Sequence, residues 1–321
     1  MSRKPGADVP KRRVISLFCG CGGSDLAVQK LGFDIVWAND ILDVACQTYR
    51  DNIPNAAVVK GDISSFTEFP DAELLVGCYP CQGYSQGGIR DPSAEINFLY
   101  REFDRVLRAV RPRAFVVENV NGMVYGDNRK LLLNQVYRYR LAGYRVRWTA
   151  LDAKNYGVPQ TRRRVFIVGI RSDIAVTYQF PEPTHGPERH RAFVGQRDVI
   201  AGMPAWPEGE FCDEKFHWYY LSRNRRHTWA RPSPCIVGHW RHVPLHPMSP
   251  PLKRLGADKW RFTRDGRARR LTYSECARLQ GFPANFKLNH GTIRERFQLV
   301  GNAVPPPLFE AVVRNLPEIW S

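Results

Sequence analysis

The strongest constraint on what this chain can fold into is a glycine-rich turn between a strand and a helix near its start. Val14–Phe18 is an apolar run of strand length that feeds through Cys19-Gly20-Cys21-Gly22-Gly23 into an amphipathic stretch, Asp25–Leu31, closed by Gly32. A second apolar run, Ile35–Ala38, and a polar-faced stretch to Asn52 follow, and Leu74–Val76, Phe115–Val117 and Val165–Ile170 continue the series. Phe98–Val110 reads as a helix because Leu99, Phe103, Val106, Leu107 and Val110 recur at the 3.6-residue period. Such alternation predicts an open, mostly parallel α/β sheet, whose ligands sit beyond the carboxyl ends of the strands.

The chemistry-bearing residues fall at those ends. Glycines 20, 22 and 23 let the backbone turn sharply and approach a ligand, although a glycine-rich turn serves many nucleotides or merely turns the chain. Asp40, at the end of the second strand, is placed to accept both hydroxyls of a ribose. Asp62, after the strand candidate Ala57–Val59, could accept from an adenine amino group or be a solvated turn residue. Leu74–Gly77 runs into Cys78-Tyr79-Pro80-Cys81-Gln82-Gly83-Tyr84-Ser85-Gln86-Gly87-Gly88, which puts Cys81 before a ligand on a segment with the glycines of a closing loop. A buried structural thiol, or a metal site joining Cys78 and Cys81 to Cys19 and Cys21, competes with a nucleophile. Zinc would want four deprotonated ligands, and no histidine lies near, so no metal is expected.

After Arg171 the rhythm stops, and residues 181 to 251 hold 11 of the 24 prolines. The formal charge of +16 concentrates here: residues 221 to 270 carry 13 Lys and Arg against only Asp258 and Asp265, with Trp229, Trp240, Trp260 and Phe262 among them. Cations mixed with flat rings suit a nucleic-acid surface, while the plainer reading is a solvated basic face. Regularity returns at Thr272 and Glu275, which have capping-box spacing for a helix through Leu279 ended by Gly281 and Pro283. The expected division is a basic flexible start over 1–12, a catalytic domain over 13–171 plus 284–321, and a smaller domain over 172–283. No apolar run is long enough to span a bilayer, and eight cysteines are too few for a disulfide scaffold, so a soluble, cytoplasmic protein with reduced thiols is expected, with no membrane partner.

Taken in order, these segments resemble the DNA cytosine-5 methyltransferases over nearly all of residues 13 to 316. The residues that carry the likeness are Phe18-x-Gly20-x-Gly22-Gly23, Pro80-Cys81-Gln82, Glu118-Asn119-Val120, and Gly157-Val158-Pro159-Gln160-Thr161-Arg162-Arg163-Arg164. Toward the C-terminus Arg231-Pro232-Ser233-Pro234, Arg270-Leu271-Thr272, Glu275 to Pro283, and Gly301-Asn302-Ala303-Val304-Pro305 continue it. Three departures touch fine positioning: Cys235 stands where the family usually has threonine, Tyr84 where phenylalanine is common, and Asp40 where glutamate is common.

The resemblance implies a Rossmann-like methyltransferase sheet, S-adenosylmethionine as cofactor, and double-stranded DNA as substrate, read by a loop-rich target-recognition domain. It implies that Cys81 adds to cytosine C6, that Glu118 stabilises the ring at N3 and that Arg164 holds the O2 edge, with Arg162 beside them as scaffold or phosphate contact. The cofactor contacts it implies are Phe18, Asp40, Asp62, Leu99, Asn302 and Val304, joined by Ile41, Ile63 and Pro80 at the strand ends. Gln82, Ser85, Asn119, Arg231 and Arg241 are the expected DNA contacts, Gln82 and Ser85 following the cytosine as it leaves the stack. The rivals are a transfer-RNA methyltransferase of the same fold and a DNA-binding protein without activity; a dinucleotide oxidoreductase would want the full G-x-G-x-x-G spacing. A prokaryotic or phage-type enzyme acting as a monomer is expected, either alone or with a cognate restriction endonuclease.

Overall fold

The computed structural model describes residues 12–80 and 98–320. Its strands are β1 (Arg13–Leu17), β2 (Asp34–Asp40), β3 (Val58–Lys60), β4 (Leu74–Gly77), β5 (Ala114–Val120), β6 (Tyr144–Asp152), β7 (Arg163–Arg171), β8 (Leu252–Gly256) and β9 (Lys259–Phe262). Its helices are α1 (Gly23–Lys30), α2 (Asp43–Asn52), α3 (Tyr100–Val110), α4 (Asn128–Leu141), the single turn α5 (Arg197–Ile200), α6 (Tyr273–Leu279), α7 (Ile293–Asn302) and α8 (Pro306–Arg314). Seven strands form one sheet in the order β3-β2-β1-β4-β5-β7-β6. β1 to β5 are parallel, and β7 is antiparallel to both of its neighbours.

The apolar runs in the sequence become β1, β2, β4, β5 and β7 almost residue for residue. The antiparallel β6–β7 pair departs from the parallel pattern because the link between them, residues 153 to 162, contains only a short 3-10 turn and is too short for a helical crossover. Period-two alternation divides the sheet residues between two cores: Val14, Val76, Val116 and Val168 face α1 and α8, while Ile15, Leu75, Val117 and Ile167 face α3 and α4. The chain runs outward from β1 through β2 to β3, then returns to β4 on the other side. This reversal opens a crevice beyond the ends of β1 and β4.

A third core joins Ile236, Val243 and Leu271 to Cys276 and Leu279 of α6 and Phe297 and Val300 of α7. Thr272 and Glu275 form the expected capping box at the start of α6. Packing does not follow the loss of rhythm at Arg171, since Ile174, Val176 and Tyr178 still cover the sheet core. With few ladders in this loop-rich part, its carbonyls need side-chain donors, and arginines supply them. Arg225 donates to Tyr220 and His242, Arg226 to Pro247 and Ser249, and Arg270 to Cys212, Glu214 and Arg241 carbonyls. Arg269 forks onto Glu275 at 2.8 and 2.7 Å while also holding the Ala205 carbonyl. Part of the basic surplus is thus internal scaffolding, and the exposed remainder concentrates on Arg223, Arg231 and the β8–β9 hairpin.

Candidate active site

At the end of β1 the backbone turns through left-handed conformations at Phe18 and Gly20, with φ of 56° and 55°. A Cβ on Gly20 would meet no atom within 4 Å, so this turn borders open space. Gly22 and Gly23 serve packing instead, against Ile53 and against the Val304 carbonyl respectively. Asp40 ties the turn to β2: one carboxylate oxygen accepts from Gly20 N and the other from Leu42 N, both at 2.9 Å. Burial raises the Asp40 pKa against these backbone hydrogen bonds. Each oxygen keeps a lone pair for a further donor.

Ile41, next in the chain, is 61% exposed. Asp62, at the end of β3, accepts from the Ser64 amide and hydroxyl at 2.9 and 2.8 Å, and these bonds lower its pKa. Ile63 is buried beneath it, and Leu99 is half-buried at the start of α3. A carboxylate pair, an exposed aliphatic side chain and an unfilled turn, set at three successive strand ends, suit a nucleoside with a ribose diol and an apolar base face. The residues therefore fit S-adenosylmethionine. Asn302 is exposed at the end of α7, and Val304 is buried against Gly23.

Glu118 is buried near the end of β5, with Arg164 of β7 two residue pairs along the ladder, opposite Val120. Arg164 Nε lies 3.0 Å from Glu118 Oε1, but its N–H is not aimed at that oxygen, which has no hydrogen bond of its own. Burial raises the Glu118 pKa, opposed by the charges of Arg164 and Arg162. The result is a buried carboxyl, held toward its protonated form, with an acceptor left over. Asn119 faces inward: its amide donates to the Tyr79 carbonyl at 3.1 Å. It ties the β5 end to the segment entering Pro80, the last described residue before Cys81.

Cys81, Gln82 and Ser85 lie outside the described residues. The other thiols of the alternative metal reading point elsewhere. Cys19 Sγ meets the Gly20 carbonyl, Cys21 Sγ the Leu299 carbonyl and Cys78 Sγ the Ser24 hydroxyl, each at 3.8 Å. Burial pushes Cys21 up to about 12 and raises Cys19 and Cys78 well above the usual thiol range. Tyr79, unmarked in the sequence, is buried with its hydroxyl 2.6 Å from Gln135 Oε1 and its ring edge-on to Phe18 at 6.1 Å. Only the spacing of Tyr79 from Pro80 could have hinted at this role.

Arg162 is fully buried and is scaffold. It donates to the Ile236 and Gly301 carbonyls at 2.7 Å and to Ala303 at 2.9 Å. Burial lowers its pKa to about 10, so it remains cationic at neutral pH. Gln160 and Gln280 complete the knot: Gln160 donates to Gln280 at 2.9 Å and accepts from Ile236 N at 2.9 Å. Gly301 is glycine because Gly238 N would lie 2.3 Å from its Cβ. Arg162→Met should lower stability by about 3 kcal/mol or more by orphaning three carbonyls. Thermal melting checks this, and a variant that melts like wild type but has lost activity would return Arg162 to the chemistry. Arg231 is exposed, whereas Arg241 is engaged with Glu214 at 2.6 Å.

The family model described as C-5 cytosine-specific DNA methylase matches residues 12–318. The chain is 35% identical to the type II methyltransferase M.BspRI of Lysinibacillus sphaericus, over 95% of this chain and 81% of that protein. It is 36% identical to the type II methyltransferase M.BsuRI of Bacillus subtilis, over 94% and 78%. Among solved structures, the Dnmt2 methyltransferase of S. pombe superposes with a TM-score of 0.69 at 19% identity, covering 94% of this chain and 97% of that one.

Proposed function

The chain belongs to the C-5 cytosine-specific DNA methylases, and from that premise we propose how its own residues divide the work. It is a DNA cytosine-5 methyltransferase, a role that implies S-adenosylmethionine and a DNA substrate. Cytosine C5 is a poor nucleophile because the ring is electron-poor, so a group must first add at C6. Cys81 is that group: its thiolate forms the Sγ–C6 bond, and the ring's electrons move toward C5 and N3. Glu118 gives or shares a proton at N3, and Arg164 holds the O2 edge and the Glu118 carboxyl together. When bound, S-adenosylmethionine supplies an electrophilic methyl group for C5. Loss of the C5 proton and expulsion of Cys81 then restore the aromatic ring.

The observation that carries this reading is the buried Glu118 carboxyl with its unbonded Oε1 beside Arg164, tied through Asn119 to the backbone that leads into Cys81. Phe18, Gly20, Asp40, Ile41, Asp62, Ile63 and Leu99 hold the cofactor in this scheme, Asp40 on the ribose and Ile41 against the adenine. Asn302 and Val304 close the C-terminal side, while Gly22 and Gly23 shape the turn from behind. Gln82 and Ser85 follow the flipped base, and Arg231 and Arg241 meet the duplex. The target-recognition part lies within residues 172 to 283 in this proposal, and the similarity to type II methyltransferases supports a restriction–modification setting. The direct test is transfer of labelled methyl from S-adenosylmethionine to duplex DNA and to total transfer RNA in parallel. Label on DNA cytosine is expected, and label on RNA alone would replace the substrate.

The β8–β9 hairpin supplies the clearest phosphate surface. Lys253 pairs directly opposite Arg261 in the ladder, and both are exposed, as are Arg254 and Lys259. Like charges opposite each other destabilise a free ribbon, and a polyanion removes that cost. Replacing Lys259 and Arg261 by glutamine should reduce the slope of log K against log salt by about 2. An unchanged slope in a filter-binding or anisotropy titration would take the hairpin off the DNA.

A further inference from the structure

We propose that Trp218 is a base-stacking residue, its indole lying on a nucleobase face that becomes available when the target cytosine leaves the duplex stack; the proposal rests on the DNA reading above. At 80% exposure Trp218 is the most exposed large apolar side chain among the described residues. A single exposed ring is ordinary on a protein surface, but this one belongs to an ordered ledge. Tyr219 meets it edge-on at 5.7 Å, His217 lies parallel to Tyr219 at an interplanar angle of 8°, and His242 packs on Tyr219 at 5.1 Å. His239 stacks on His242 at 4.3 Å. Burial among neighbouring histidines and arginines pushes His242 down to about 4, so at neutral pH it contributes a flat neutral ring.

The charges around the ledge select its occupant. Arg223, exposed, and Arg225 both lie over Tyr219 at 5.9 Å. Phe216, two residues before Trp218, packs on Phe262 of β9 at 5.5 Å, which makes the ledge continuous with the hairpin carrying Lys259 and Arg261. The nearest acidic group of the segment, Glu214, is neutralised by Arg241. An apolar protein partner gains nothing from such a cationic border, whereas a nucleobase comes with phosphates on either side. Bases in an intact duplex offer only their edges, and base flipping is what exposes a face, at a cost of a few kcal/mol. Stacking of an aromatic side chain on a base returns about 1–3 kcal/mol, enough to offset much of that cost. At the other end of this segment Gly238 abuts Gly301 and the Asn302 side chain, which joins the ledge to the C-terminal side of the cofactor crevice.

The test compares wild type with Trp218→Ala and Trp218→Phe on two short duplexes of one sequence, intact or carrying a single abasic site. Methyl transfer to chromosomal DNA lacking cytosine methylation is measured alongside. Wild type should prefer the abasic duplex, Trp218→Ala should lose affinity for it by roughly 5- to 100-fold, and Trp218→Phe should keep most of it. The salt slope should be the same for all three, because stacking releases no counterion. Equal abasic binding by wild type and Trp218→Ala would overturn the proposal, as would a reduced slope, which would mark a displaced basic surface. A change in oligomeric state without a change in DNA binding would assign the ledge to a second copy of the chain and likewise overturn it. Methyl transfer by wild type keeps each of these failures separate from a failure of the DNA reading itself, which only absence of label on DNA would signal.

Discussion

Cys81→Ala is expected to lower methyl transfer to DNA by at least about 10⁴-fold while leaving DNA binding within a few-fold of wild type. The size of the effect follows from the ring chemistry: without addition at C6, C5 has too little electron density to attack a methyl group. Cys81→Ser should fail nearly as completely, since an alcohol is far less acidic than a thiol and a poorer nucleophile at neutral pH. The complementary measurement uses duplex DNA containing 5-fluorocytosine. Cys81 adds, the methyl is transferred, and then the fluorine on C5 cannot depart as a proton does, so expulsion of Cys81 stalls. A denaturation-resistant protein–DNA adduct is expected, with the cross-linked peptide containing Cys81. Cys78 is the rival thiol, and its surroundings argue against it: it is held against Ser24, and burial and the nearby Glu118 keep it protonated. An adduct mapped to Cys78, or methyl transfer surviving in Cys81→Ala, would sink the assignment.

Much of this was legible in the sequence for physical reasons that differ from part to part. The strands of the sheet interior announce themselves because a strand covered on both faces is a continuous apolar run, as in Leu74–Gly77. β6 escaped because its order, Tyr-Arg-Val-Arg-Trp, is that of an edge, with Arg145 and Arg147 turned to the carbonyls of residues 172 to 178. Local spacing also revealed the capping box of α6, since both partners lie within four residues. Roles fixed by long-range packing were not legible. Nothing in the run Arg162-Arg163-Arg164 says that the first arginine is buried on three carbonyls, the second exposed and the third paired with Glu118. The +11 surplus of residues 221 to 270 likewise looked like one footprint, and only the fold separates the carbonyl-holding Arg225, Arg226, Arg269 and Arg270 from the exposed cations of the hairpin. The direction of Asn119 was not legible either, because a side chain's facing at a strand end depends on its neighbour strand, here β4 and its exit through Tyr79.

Glu118→Gln carries the second large effect, a loss of about 10²- to 10⁴-fold in turnover, and its pH dependence is more informative than its size. Burial raises the Glu118 pKa, and Arg164 and Arg162 oppose without cancelling that shift. The sign follows directly: the protonated form, which can donate at cytosine N3, is fully populated below the raised pKa and is lost as pH rises through it. Activity limited by this group should therefore fall on the alkaline side, at a pH above the ordinary carboxylate range, while deprotonation of the attacking thiol makes activity rise from the acid side. The two limbs together form a bell whose apparent midpoints belong to the coupled site rather than to one residue. Glutamine has nearly the same shape and can still offer an N–H to N3, but it cannot ionise or pass a proton. The descending limb should thus disappear in Glu118→Gln even though the residual rate is low, and DNA affinity should change little. A profile for kcat/KM that keeps its alkaline limb in the variant would assign that limb elsewhere and leave Glu118 as a spacer for Arg164.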